Sequence, residues 1–335
     1  MDVYASARAT SGKLKLKAKA RLADGRPAEV FDACVLLHEA ARAEQRAIRL
    51  VDAPQETRFA ALVEACFCFV EGLDPHAAGR VYSRLYQERE GMSDELAASL
   101  LSRLTPRYES LQEKYAVAVG GLVALGGGLP MVTTTIPQVQ RAQREAKRMT
   151  SAFPGVAGWW WVAYRIAESR AEAKRAWNAL TCARRLEPDN ARFEAISLLA
   201  ATKALEYEAA NEYIGAVRAR IDSSHPELCL MYALAELRLA RARPRNRKQR
   251  WTRALDVVRT GLSGEPDSTL RNNLRATQLL LESYIDQRKP SLELLYRAGL
   301  TEVAIGAPAE TDIQDLLMRG IASRVRANDD MEDAA

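Results

Sequence analysis

The sequence predicts an all-α protein, and three observations carry that prediction. Alanine supplies 57 of the 335 residues while aromatics make up only 7%. Alanine is the best helix former, and its small side chain lets helices approach closely. Residues that start and stop helices recur along the chain in mutually consistent order. Sustained two-residue alternation, the mark of a half-buried strand, is scarce. With 48% apolar residues and 27% charged ones, the chain has the composition of a folded protein. Its length suits two domains or one extended array of helical repeats.

The stretch "KLKLKAKARL", with lysines at 13, 15, 17 and 19, is the one clear alternation. Alone it would read as a strand, but no second strand is in sight to pair with it. The spacing is therefore assigned to a first helix, and Asp24-Gly25 to the turn leading into an antiparallel second helix. Asp74-Pro75 sets a capping carboxylate before a proline at the first helical position, opening a helix that Gly91 closes. Ser93 caps "DELAASLLSRL", which carries Leu96, Leu100 and Leu104 on one face. Thr105-Pro106 opens the next helix. Near the C-terminus, Thr311-Asp312-Ile313-Gln314 forms a capping box ahead of "DLLMRGIASRV".

Between Tyr115 and Gln140 the chain carries no charge at all. Three readings compete for residues 116–138, "AVAVGGLVALGGGLPMVTTTIPQ". The length is sufficient for a bilayer span, but five glycines, Pro130 and three threonines interrupt the apolar run. A Walker-type phosphate loop would need a lysine and a hydroxyl after the last glycine, and both are missing. The preferred reading is a buried joint between two halves. It expects Val117, Leu122, Val123 and Leu125 to be buried and the helix to break at Gly126–Pro130.

In the second half, "WWWVAYRIAESRAEAKRAWNALTCARRLEPDN" places Trp160, Ala176, Leu180, Ala183 and Pro188 in a recurring register. "RALDVVRTGLSGEPDS" repeats it with Ala254, Val258, Gly261 and Pro266. The pattern resembles the tetratricopeptide-repeat-like superfamily, although Ala163-Tyr164 stands where that family has a Leu-Gly pair. The resemblance implies antiparallel helix pairs stacked as a right-handed superhelix, or α-solenoid, with small residues where helices touch. It also implies protein or peptide binding on the surface, and it brings no catalytic residues. Between the two matches, Pro226 reads as the first residue of a new helix capped from Ser224 or His225. The organisation expected is an N-terminal helical block (1–115), the joint (116–138), the repeat-like region (139–325) and an acidic tail (326–335).

No spacing specifies a reaction. Cys34 and His38 share a helix face but have no second pair to close a metal site and no third group to orient a nucleophile. Cys66 and Cys68 diverge by about 200° on a helix. The five cysteines (34, 66, 68, 182 and 229) are scattered and odd in number, and the first residues lack a secretory signal core. Buried free thiols in a cytoplasmic protein follow as the expectation, with no cofactor, no metal and no enzymatic activity. The bias toward arginine and alanine points to a GC-rich genome and a bacterial source.

Two surface features stand out. Residues 238–251, "RLARARPRNRKQRW", contain seven basic residues and no acid. They read as a long loop between helices, either a solvated arginine-rich helix end or a contact for phosphate or an acidic partner. Its candidates are Arg241, Arg243, Arg245, Arg247, Lys248 and Arg250, with Trp251 beside them. The second feature is Trp159-Trp160-Trp161. Three successive residues span about 200° of a helix, so with Trp160 assigned to the core, Trp159 or Trp161 becomes a candidate interface anchor. The function expected is that of a scaffold, adaptor or regulator binding another protein or peptide. The alternative is a nucleic-acid-associated helical protein using residues 238–250. Membrane contact is not expected, and the sequence does not fix an oligomeric state.

Overall fold

A computed structural model describes residues 3–50, 53–90, 92–124, 136–288, 290, 291 and 294. Among them it places fourteen α-helices and no strand. The chain divides into two compact units whose boundary falls between Ala163 and Tyr164, inside one helix.

The first unit begins with the hairpin expected from Asp24-Gly25. Helix α1 (Val3–Asp24) is continuous through the lysine-alternating stretch, and α2 (Pro27–Leu50) returns along it. Gly25 sits at φ +71°, a left-handed conformation that a side chain would disfavour. The seam is made of small residues, with Ala18, Ala33 and Leu37 forming one cluster. A buried acid lies in it too: Glu44 meets Lys15 at 3.7 Å and Arg8 at 3.9 Å. Lys15 also reaches Glu64 of α3 (Gln55–Glu71), at 2.5 Å.

Helix α3 packs on α2 and on α4 (Pro75–Glu88). Asp74 caps α4 as its sequence foretold, accepting from the amides of His76 at 3.0 Å and Ala77 at 2.9 Å. Such a cap contributes about 0.5–2 kcal/mol. Ser93 caps α5 (Asp94–Leu101) through the Leu96 amide. Helix α6 (Thr105–Ala124) and α7 (Ile136–Ala152) follow. Gly155 fits against Gly72 backbone to backbone: a Cβ at Gly155 would lie 1.8 Å from the Gly72 carbonyl oxygen.

One expectation for the joint fails. Val117 is 72% exposed, because the buried face of α6 is the one carrying Leu104, Tyr108, Leu111 and Tyr115. Stepping from Tyr115 to Val117 turns the helix by about 200°, which carries the valine to the outside. Gly91, the side chains of Leu122 and Val123, Leu125, the break at Gly126–Pro130 and the capping box at Thr311 lie outside the described residues.

The second unit contains the end of α8 (Ala157–Ser169) and α9 (Ala173–Leu186), α10 (Ala191–Ala204), α11 (Tyr207–Arg218), α12 (Pro226–Ala242), α13 (Arg247–Ser263) and α14 (Ser268–Ile285). Neighbours pack consecutively: α9 on α10, α10 on α11, α11 on α12, α12 on α13 and α13 on α14, with α10 also on α12 and α12 on α14. Every residue from Phe193 to Ala201 and from Leu228 to Leu237 is buried, so α10 and α12 are enclosed on all sides over those stretches.

The small residues expected at close helix contacts sit at such contacts. Ala176, Ala183 and Ala254 are buried, and a Cβ at Gly261 would lie 2.7 Å from that of Cys229 on α12. Pro226 opens α12 as expected, although neither Ser224 nor His225 supplies a side-chain cap to that helix. Pro266 is buried after α13, while Pro188 is exposed after α9.

Candidate interaction surface

The basic stretch 238–251 is not a long loop. Helix α12 continues to Ala242, a single 3-10 turn spans Pro244–Asn246, and α13 begins at Arg247. Its cations therefore belong to two helix ends joined by a tight turn. They divide into two groups with different roles.

Arg250 is internal, with 4% of its surface exposed. Its Nη1 donates to Glu236 Oε2 at 2.6 Å, and its Nη2 donates to Tyr207 Oη and Asn211 Oδ1, both at 2.7 Å. Tyr232 donates to the other Glu236 oxygen at 2.9 Å. Burial works against the Arg250 charge, but Glu236 and Tyr207 outweigh it and hold the guanidinium above its ordinary value. This group ties α11, α12 and α13 together.

Arg243 pairs with Glu208 and lies over the Tyr207 ring, 4.1 Å from its centroid. Arg247 Nε donates to the Ala240 carbonyl at 3.0 Å, satisfying one of the acceptors left open at the end of α12. Trp251 stacks on Tyr284 of α14, with ring centroids 5.1 Å apart. Arg241, Arg245 and Lys248 are exposed and make no ion pair among the described residues. They stand at the end of α12, in the turn and in the first turn of α13. No acid occupies that first turn of α13.

A second buried acid sits nearer the start of the unit. Glu194 on α10 is met by Arg220 at 2.7 Å and Arg184 at 3.4 Å, and Tyr213 donates to it at 3.4 Å. Burial holds the Arg184 guanidinium below its ordinary value despite that carboxylate. Sequence reasoning missed Glu194 and Glu236. Their signal was an acid inside an unbroken apolar run, as in "LCLMYALAELRLA".

The tryptophans reverse the expectation. Trp159 and Trp161 are each 3% exposed, while Trp160 is the half-buried member. Trp159 faces Tyr115, and Trp160 stands edge-on to Phe31 and donates from Nε1 to the Pro154 carbonyl at 2.8 Å. Trp159 and Trp161 therefore contribute to packing and offer no exposed ring to a partner.

The thiols are also internal. Burial pushes Cys34, Cys66 and Cys68 up to about 12 and Cys229 up to about 11, so none is a thiolate near neutral pH. His38, on the same face as Cys34, places Nε2 3.2 Å from the Gly72 carbonyl. Among the described residues no three His, Cys, Asp or Glu side chains converge as metal ligands. An open hollow lined by Glu172, Lys174, Arg175 and Lys203 is a surface feature in which Glu172 already pairs with Arg170 and Arg175. No described helix is long and apolar enough to cross a membrane. Comparison with protein-family models and with curated proteins returns no match for the chain.

Proposed function

We propose that this chain is a non-enzymatic helical-repeat protein that holds another protein or an acidic peptide, as a scaffold, adaptor or regulator. The observation that carries the reading is periodicity. Helices α8, α10 and α12 start at Ala157, Ala191 and Pro226, intervals of 34 and 35 residues, and each is followed by a partner helix of 12–17 residues. A period of about 34 residues built as helix–turn–helix is that of a tetratricopeptide-like array. Such units bury apolar faces against their neighbours and stack into a right-handed solenoid whose surface serves recognition.

The partner's chemistry follows from the exposed cations Arg241, Arg245 and Lys248. A carboxylate-rich segment complements them, and arginine forks onto carboxylates with two parallel hydrogen bonds. Arg250 is engaged inside the protein and Arg247 donates to the Ala240 carbonyl at its surface, which leaves the turn fewer unengaged cations than its sequence suggests.

The test is affinity capture with the wild type and with a variant carrying Arg241→Ala, Arg245→Ala and Lys248→Ala. Acidic proteins retained by the wild type and lost by the variant support the reading. Nuclease-sensitive capture that falls steeply with salt favours the nucleic-acid reading instead. Capture indifferent to the three substitutions rejects the turn as the contact.

A further inference from the structure

We infer that the outer face of α1 docks on an anionic lipid surface, a partner the sequence alone does not suggest. Helix α1 packs on α2 and touches α3 through Lys15, and its opposite face has no neighbour among the described residues. The face is about 33 Å long at 1.5 Å per residue. A strip of Ala5, Ala9, Gly12, Leu16, Ala20 and Ala23 runs along it, every member exposed, with Leu16 at its centre 71% accessible. At about 100° per residue, Lys13 and Lys17 flank the strip on one side and Lys19 on the other.

The charges on this face are unspent. Arg8 and Lys15 are directed to Glu44 and Glu64, Arg21 pairs with Glu29, and Asp24 is taken by Arg26. Lys13, Lys17 and Lys19 are exposed and form no ion pair among the described residues. Five members of the strip are alanine or glycine, so the lysines supply the main attraction to an anionic surface: their stems run along the layer while the ammonium groups reach phosphate, and Leu16 is the one long apolar side chain that enters it.

Leu16 decides between anionic partners. A phosphodiester backbone gains nothing from a leucine at the centre of its contact, whereas an acyl layer buries it. A folded acidic protein would need a surface shaped to a convex ridge, which a deformable lipid surface does not. The small side chains on the strip let the helix approach the headgroups closely.

The experiment is sedimentation of the full chain with vesicles of phosphatidylcholine alone or mixed with phosphatidylserine, at low and at physiological salt. The expected result is binding to the anionic vesicles only, weakened by salt. Each of Lys13→Gln, Lys17→Gln and Lys19→Gln should lower partitioning about fivefold, and the three together about a hundredfold. Leu16→Ser should lower it about tenfold, since most of that side chain's transfer into the apolar layer is lost. All four positions are exposed, and an unchanged far-ultraviolet circular dichroism spectrum checks that the variants fold.

Absence of binding to anionic vesicles at low salt overturns the inference, whatever covers the face in solution, a second copy or the acidic residues after 326 included. Binding kept by the triple variant assigns the contact to another surface and also overturns it. Binding that needs the lysines but ignores Leu16 points to a polyanion in place of a lipid layer, and overturns the choice of occupant.

Discussion

Replacing Arg250 with alanine separates a structural arginine from a recognition arginine. The substitution removes three hydrogen bonds of 2.6–2.7 Å, to Glu236, Tyr207 and Asn211. It also leaves the Glu236 carboxylate, 2% exposed, with the Tyr232 hydroxyl and no cation. Breaking a buried ion pair from one side costs about 3–5 kcal/mol, because the remaining charge stays desolvated. At about 2.1 cal/mol/K of unfolding entropy per residue, each kcal/mol lowers Tm by roughly 1.4 °C in a chain of 335 residues, so the fall should be about 4–7 °C. Urea titration followed by tryptophan fluorescence reads the same loss, since Trp251 lies next to Arg250 and stacks on α14. Arg245→Ala and Lys248→Ala, both at exposed positions, should stay within about 0.5 kcal/mol of the wild type. Replacing both partners, Arg250→Met with Glu236→Leu, should recover most of the loss, because no charge is then stranded. If Arg250→Ala costs less than about 1 kcal/mol, the side chain is not the internal tie described and belongs back among the recognition residues.

Other consequences follow from the same packing. Gly155→Ala drives a methyl into the Gly72 carbonyl and should cost more than about 2 kcal/mol. Gly215→Ala, in the exposed interior of α11 with open space around it, should stabilise by about 0.5–1 kcal/mol; equal denaturation midpoints for the two would contradict the packing at Gly155. The thiols of Cys34, Cys66 and Cys68, pushed up to about 12, make the first unit sensitive to alkali. Unfolded thiols ionise near 8.5, so their contribution is intact below that pH and is lost as pH rises toward 12, at up to about 1.4 kcal/mol per pH unit for each. Alanine at the three positions should flatten that slope between pH 8 and 10.5, and an unchanged slope would remove the thiols as its cause. In the native protein a thiol reagent at pH 8 should label Cys182, the one cysteine with appreciable exposure, well before the other four; simultaneous labelling of all five would show that the buried set is not protected.

What the sequence disclosed was local. Asp74, Ser93 and Pro226 act within one turn of their own positions, and each opens the helix its neighbours predict. Gly25 needs only its own backbone angle to end α1. Ala183, Ala254 and Gly261 reveal close helix contacts because size alone fits them for that place. What stayed hidden depends on residues distant in the chain. Arg250 becomes internal only because Tyr207, Asn211, Tyr232 and Glu236 arrive from α11 and α12. In a row of three tryptophans, Tyr115 meets Trp159 and Phe31 meets Trp160, and the row itself names neither neighbour. The exposure of Leu16 was equally illegible, since alternating lysines and leucines do not say which face of a helix finds a partner.

The recognition account is tested most directly by amine-reactive cross-linking of the protein to whatever it captures, with the linked lysines then identified. Lysine is scarce, ten in the chain, so each link reports a defined place. The account predicts links from Lys248, beside Arg241 and Arg245, to an acidic segment of a partner protein. Those links should disappear together with capture when Arg241 and Arg245 become alanine. Capture that persists with no link from Lys248, or that is abolished by nuclease, would contradict it.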